Sequence, residues 1–245
     1  MIKLYLDPGH GGTDGGAISH GIRESAVVVA ISNLLADELK RQGIQCLCSR
    51  TNDSTTKTLA TRVAEAENFR ATAFISLHLD SSESAAPNGT HSYVYQFGGE
   101  AEKFANKIQT RLQAENGVSK WERVDDENFY VLRKTTMPAV LVELGFITND
   151  IDRNYLTAAT NQKHVAKQIC IAICEHFNIT YKGETTMANK TKFKDEAKMP
   201  KWAIASIKEA SDAGVMNGDA DGNFRPNDNL TRAEAAVLVA KLLKR

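Results

Sequence analysis

Three residues able to bind a metal or move a proton stand at the ends of three apolar runs. Leu4-Tyr5-Leu6 leads through Asp7-Pro8-Gly9 to His10, Phe74-Ile75-Ser76-Leu77 leads to His78, and Val140-Leu141-Val142 leads to Glu143. Short apolar runs of this kind read as buried strands. In open α/β sheets, ligands bind along the edge formed by the strands' carboxyl ends, so three reactive side chains there imply one shared site. A fourth, Glu24, opens the helical pattern that follows the glycine-rich loop 9–21 and can face the same edge.

Two imidazoles and one carboxylate leave a tetrahedral cation one position for water, the composition of a catalytic zinc site. Structural zinc instead takes four closed ligands, usually rich in thiolates. Bound Zn2+ brings the pKa of its water near neutrality and polarises a scissile carbonyl, and a carboxylate outside the ligand set takes the proton and returns it to the leaving nitrogen. Glu143 suits that role. Asp7 either orients a ligand histidine or forms the turn before Pro8-Gly9. The loop at residues 9–16 lacks both the P-loop lysine and the dinucleotide-binding spacing, which excludes a nucleotide site. His20, His91, His164 and His176 have no comparable surroundings and read as surface or loop histidines, with His20 bordering the cleft.

To hold those side chains on one edge, the first 178 residues alternate short apolar runs with amphipathic ones. Strands are expected at residues 3–7, 44–49, 73–78, 90–97 and 139–143, and helices at 24–42, 59–70, 100–115 and 162–177. In the first helix Val27, Val28, Ile31, Leu34, Leu35 and Leu39 form one stripe and Gly43 is the stop. Residues 119–128 read as polar and irregular. The implied fold is α/β, a largely parallel sheet flanked by helices, plus a small helical C-terminal module. Residues 1–178 form the first domain, 179–192 a polar linker rich in Thr, Lys and Gly, and 193–245 the module. Within the module, helices at 200–213 and 231–243 flank a Gly, Asp and Asn-rich turn region, with Thr231 as N-cap and Glu234 at the capping-box position.

Lys plus Arg equals Asp plus Glu at 30 each, so no net field favours nucleic acid or an anionic membrane. The longest apolar stretch, 26–36, is broken by Ser32 and Asn33 and is too short to span a bilayer. The amino terminus reaches a charge and a turn before any apolar core of a secretory signal, so synthesis in the cytoplasm without a signal peptide is expected. Cys46, Cys48, Cys170 and Cys174 lack the further ligands of a zinc knuckle and read as buried reduced thiols.

Leu6-Asp7-Pro8-Gly9-His10-Gly11-Gly12 with Asp14, Gly16 and Ala17, then Glu24, Arg50, Ser76-Leu77-His78 and Pro138-Ala139-Val140-Leu141-Val142-Glu143-Leu144-Gly145-Phe146 resemble the motifs of the zinc N-acetylmuramoyl-L-alanine amidases of the type-3 kind. The resemblance covers residues 2–177. It implies one Zn2+ held by His10, Glu24 and His78, Glu143 as the catalytic residue, and cleavage of the peptidoglycan amide joining N-acetylmuramic acid to L-alanine. Where the family usually has Asn two residues after the second histidine, this chain has Asp80, a carboxylate placed to alter substrate contact or zinc affinity.

Phe193-Lys194-Asp195, Trp202-Ala203, Gly214-Val215-Met216-Asn217-Gly218, Asp221-Gly222-Asn223-Phe224-Arg225-Pro226 and Leu230-Thr231-Arg232-Ala233-Glu234 resemble one S-layer homology repeat. Such repeats bind secondary cell-wall polymers, usually as three copies around a three-fold axis, and Trp202 and Arg232 are the candidate wall-binding residues. One copy of about 50 residues holds little core, so a trimer of C-terminal modules is expected. Asn217, Asp219, Asp221 and Gly222 match the start of a calcium loop, but Asp228 stands where its closing Glu belongs, and a turn accounts for them. Met187, just before the module, is a candidate internal start that would yield a shorter product. The resemblance implies a phage endolysin-like enzyme acting at the cell wall after holin-type release. The alternatives are a zinc peptidase on the stem peptide and a catalytically inactive wall-binding protein.

Overall fold

A computed structural model of the protein describes residues 2–116, 123–183, 191–200 and 203–243. The chain divides into two compact units, Met1–Tyr181 and Lys182–Arg245. The first is built on a six-stranded sheet of order β4-β1-β5-β8-β6-β7, formed by β1 (Lys3–Pro8), β4 (Gln45–Cys48), β5 (Ala73–Asp80), β6 (His91–Val94), β7 (Arg123–Asp126) and β8 (Ala139–Phe146). A separate hairpin pairs β2 (Ile18–Ser19) with β3 (Ile22–Arg23). All pairings in the large sheet are parallel except that of β6 with β8, so the sheet is largely parallel, as the alternating pattern required.

The central strands are apolar on both faces because both faces are covered. Successive residues point to opposite sides. Leu4, Leu6, Ile75, Leu77, Val140 and Val142 enter one core cluster, which includes residues of α1 (Glu24–Arg41), α3 (Glu100–Asn116) and α6 (Ala159–His176). Tyr5, Phe74, Ala139 and Leu141 enter a smaller cluster with Ala66 of α2 (Leu59–Phe69) and Val131 and Leu132 of α4 (Tyr130–Lys134). His78 and Glu143 continue the second alternation and are partly exposed. The paired face therefore turns from core into site within one strand length.

The structure adds elements that periodicity did not announce. β7 lies in the stretch read as irregular, since Arg123-Val-Asp-Asp has one apolar residue and pairs only as an edge strand beside β6. Helix α5 (Asp150–Thr157) is started by Asn149, whose side chain accepts from the N–H groups of Ile151 and Asp152. The expected strand at 90–97 is formed only over His91–Val94. The first unit also runs past residue 178. Ile179 and Tyr181 pack on the main core, and the Tyr181 hydroxyl donates to Glu38.

The second unit has a core of Phe193, Met199, Ala203 and Ile207, with Ile204 and Phe224 packed against it. A short 3-10 turn at Glu196–Lys198 precedes α7 (Ile204–Asp212), and α8 (Arg232–Leu243) follows a long turn region. Asp195 ties that region to the core by accepting from Phe224 N and Arg225 N. Asp219 accepts from Asp221 N and Asn223 N, so the Asn217–Gly222 stretch closes on itself as a turn. Thr231 and Glu234 exchange the reciprocal bonds of a capping box. No described residue of α8 is buried, and Val237, Val239, Leu242 and Leu243 are 56%, 54%, 56% and 81% exposed.

Candidate metal centre

The loop after β1 delivers the first histidine in an uncommon backbone state. His10 has φ 58°, the left-handed region that non-glycine residues rarely adopt. Two arginines hold it there. Arg50, whose side chain is fully buried, donates from Nε to Pro8 O at 3.1 Å and from Nη2 to Gly9 O at 2.5 Å and Ser25 O at 2.8 Å. Arg62, reaching over from α2, donates to Pro8 O at 2.9 Å and to His10 O at 2.7 Å. Strain of this kind persists only where neighbours over-determine it, and it gathers at functional sites.

Asp7 acts on this backbone rather than on an imidazole. Its carboxylate accepts from Arg62 Nη1 at 2.5 Å and from Ser76 Oγ at 2.9 Å, fixing the arginine that grips His10. The imidazole itself is oriented by Asp14, whose Oδ2 lies 2.8 Å from His10 Nδ1. Hydrogen bonds from Gly16 N and then His10 hold the Asp14 carboxyl below its ordinary range.

Glu24 stands at the first turn of α1, where the helix dipole favours a negative charge. Its Oε2 accepts from Ala17 N at 2.9 Å and its Oε1 from Leu79 N at 3.0 Å. That same Oε1 lies 2.9 Å from His78 Nδ1 and 3.2 Å from His10 Nε2. The imidazoles meet edge to face with centroids 4.9 Å apart. Burial pushes the Glu24 pKa up, but hydrogen bonds from His10 and His78 outweigh it and hold the group well below the usual carboxylate range. Its hydrogen bond to Glu24 in turn raises the pKa of His10.

The nearby glycines are there for space. A Cβ on Gly9 would enter the His78 ring, and one on Gly16, at φ +64°, would strike the Glu24 carboxylate and the edge of His10. All three ligand-type side chains thus pack against bare backbone. This is the physical content of the glycine loop, which the sequence showed only as a pattern.

On β8, Glu143 is the in-register neighbour of His78. Its Oε2 is buried and, among the described residues, has no hydrogen-bond partner. Burial, with further contributions from Glu24 and Asp80, raises its pKa well above the ordinary value. Asp80, two residues past His78, accepts from Ser81 N, and burial raises its pKa. The structure therefore brings His10, Glu24, His78, Asp80 and Glu143 to one edge of the sheet. Arg232 belongs to the second unit, exposed at the start of α8, and Trp202 and Met187 fall outside the described residues.

Sequence reasoning passed over Arg62 and misplaced His91. His91, expected on the surface or in a loop, is 5% exposed on β6, and His176 packs at 4.6 Å on Phe104. The burial of His91 and the ring contact of His176 come from strand and helix neighbours distant in sequence, which local pattern does not display.

One donor atom from each of His10, Glu24 and His78 lies within 4.8 Å of the others, a set of two imidazoles and an ionised carboxylate that fits one divalent cation with an open coordination position. With Glu143 beside it at the carboxyl edge of an α/β sheet, the arrangement is that of a hydrolase. Residues 4–175 match the N-acetylmuramoyl-L-alanine amidase family, Amidase_3, and the chain belongs to that family. Residues 192–236 match the S-layer homology domain. The chain is 36% identical over 169 residues to the Bacillus subtilis N-acetylmuramoyl-L-alanine amidase LytC, covering 68% of this chain and 34% of that one. It is 32% identical to the germination-specific amidase of the same organism, with 74% of this chain and 81% of that one covered. Among solved structures, the catalytic domain of the amidase CwlV from Bacillus (Paenibacillus) polymyxa var. colistinus superimposes with TM-score 0.68 and 33% identity, over 74% of this chain and 100% of that domain.

Proposed function

We propose that the protein is a zinc-dependent peptidoglycan hydrolase that cuts the amide between N-acetylmuramic acid and L-alanine. In this reading His10, Glu24 and His78 are the ligands and Glu143 is the catalytic carboxylate. The observation that carries it is the convergence of the three donor atoms within 4.8 Å, in register with Glu143, in a chain of the amidase family. When bound, Zn2+ supplies Lewis acidity toward the scissile carbonyl and an acidified water. The chain's own residues do the rest. Asp14 fixes the His10 tautomer so that Nε2 faces the centre, and Ala17 N and Leu79 N fix both oxygens of Glu24. Glu143 takes a proton from the attacking water at its buried carboxylate and passes it to the departing alanine nitrogen. Asp80 adds a carboxylate at the same edge and tunes substrate contact.

The second unit, proposed as residues 193–245 joined by a linker ending at 192, anchors the enzyme to a secondary cell-wall polymer, with Trp202 and Arg232 as contact residues. Three chains associate through it. The exposed apolar side chains of α8 support this, because a helix with no buried residue lacks the cover that a folded helix requires. Action at the bacterial wall follows from both halves. No helix among the described residues is long and apolar enough to cross a membrane. Release through a holin-type pore, as for an endolysin, and a short product initiated at Met187 belong to the same proposal. A Met187→Leu variant that still yields the short product would remove the internal start.

Digestion of a defined muropeptide, with Glu143→Ala as control, tests the central reading. The expected products are a free lactyl carboxylate and a peptide with amino-terminal L-alanine. Cleavage within the stem peptide would replace the amidase with a peptidase.

A further inference from the structure

One strand beyond Glu143, three consecutive residues are both polar and buried: Thr90, His91 and Ser92 are 2%, 5% and 0% exposed. Buried polar groups are unfavourable unless hydrogen-bonded, and here they are. Gln109 of α3 donates to Thr90 O at 3.0 Å and accepts from Ser92 Oγ at 2.9 Å, pinning this end of β6 from one face. His91 points to the opposite face. Its Nε2 lies 3.0 Å from Asp125 Oδ2 on β7, its ring packs 4.1 Å from that of Tyr93, and Tyr93 meets Phe129 edge-on at 5.2 Å. The Asp125 side chain is 33% exposed and so reaches solvent beside this buried frame.

His91 is the direct cross-strand partner of Glu143, just as His78 is on the other side. Directly opposed residues of an antiparallel pair share a face, with Cβ atoms about 5 Å apart. His78, Glu143 and His91 therefore form a row across three adjacent strands, spaced by about 4.8 Å per strand. A substrate whose scissile carbonyl lies over His10, Glu24 and His78, and whose departing nitrogen lies over Glu143, continues along that row. The portion attached to the nitrogen, the peptide, then lies over β6 and β7.

We propose that His91, Tyr93 and Asp125 form the subsite for the departing peptide. Asp125 is the specificity-determining residue: its solvent-reaching carboxylate accepts hydrogen bonds from peptide N–H or ammonium groups, a carboxylate being able to serve several donors at once. His91 is a positioning residue that fixes the Asp125 carboxylate. This rests on the amidase reading above, because the direction of the peptide follows from proton delivery by Glu143.

The test uses the full chain loaded with zinc, a defined muropeptide as substrate, and two inhibitors: the free stem tripeptide and N-acetylmuramic acid. Losing a charge-assisted hydrogen bond is worth about tenfold in binding. Asp125→Ala is expected to raise both KM and the tripeptide Ki by about tenfold, with kcat changed less than about twofold and the N-acetylmuramic acid Ki unchanged. His91→Phe should reproduce this. His91→Gln, whose amide can still donate to Asp125, should recover most of it. An Asp125→Ala enzyme with wild-type KM and tripeptide Ki overturns the subsite, as does an equal rise in the N-acetylmuramic acid Ki. A wild-type enzyme that releases no peptide with amino-terminal L-alanine overturns the amidase reading itself, and this subsite with it.

Discussion

The two units solve the same problem of burial in opposite ways. The first encloses two apolar clusters around a sheet and spends its buried polar groups, Asp7, Arg50, Arg62, Glu24 and Ser76, on holding one loop and one edge. Among its described residues the second buries four apolar side chains and leaves Val237, Val239, Leu242 and Leu243 of α8 exposed. A self-sufficient core can fix a reactive site to within tenths of an ångström. Under the association proposed above, the exposed face of α8 is what the partner copies would cover, a role that suits an anchor better than a catalyst.

Replacing Glu143 by Ala strikes the first unit where the effect should be largest. Turnover of muropeptide is expected to fall by about 10²–10⁴-fold, with zinc content and thermal midpoint retained; rate assays and elemental analysis on one preparation check this. Arg50→Met attacks the frame instead. It takes the guanidinium donors from the carbonyls of Gly9 and Ser25 and leaves Pro8 O to Arg62 alone, and about 3 kcal/mol of stability should be lost. Denaturant unfolding measures it, and a loss under about 1 kcal/mol would mean that the loop holds its shape unaided.

Asp14→Ala sharpens the distinction between ligand and support. It removes the partner of His10 Nδ1 and should weaken zinc binding by about 10–100-fold while the fold persists; competition with a chelator of known affinity gives the number. In the second unit, Val237→Asp places a charge on the exposed face of α8. It should lower the associated mass seen by light scattering to that of a monomer, and an unchanged mass would detach α8 from the interface. Cutting the chain after residue 181 should have the smallest effect. The thermal midpoint of the first unit is expected to shift by no more than about 2 °C, since domains with their own core fold alone, while binding to intact walls is lost.

The reactive residues were readable because each marks the end of a strand whose apolar run is visible in sequence: His10 after Leu6, His78 after Leu77, Glu143 after Val142. The largely parallel sheet and the long helices that flank it followed from the same periodicity, whereas the strand order did not. What was not readable depends on contacts between distant segments. Asp7 and Asp14 are both aspartates near His10, and only the approach of Arg62 and Ser76 to one of them assigns their separate tasks. Thr90-His91-Ser92 was placed on a strand, but its three polar side chains gave no sign of burial, which comes with partners on α3 and β7, Gln109 and Asp125. The short elements β7, α4 and α5 were missed because capping and edge pairing, not amphipathic repeats, create them.

Zinc content per chain, measured in parallel for the wild type, His78→Ala and Glu143→Ala, tests the central claim most directly. The account predicts one zinc in the wild type, one in Glu143→Ala and none in His78→Ala. A His78→Ala protein that keeps its zinc, or a Glu143→Ala protein that loses it, would contradict the division of these residues into ligands and catalyst.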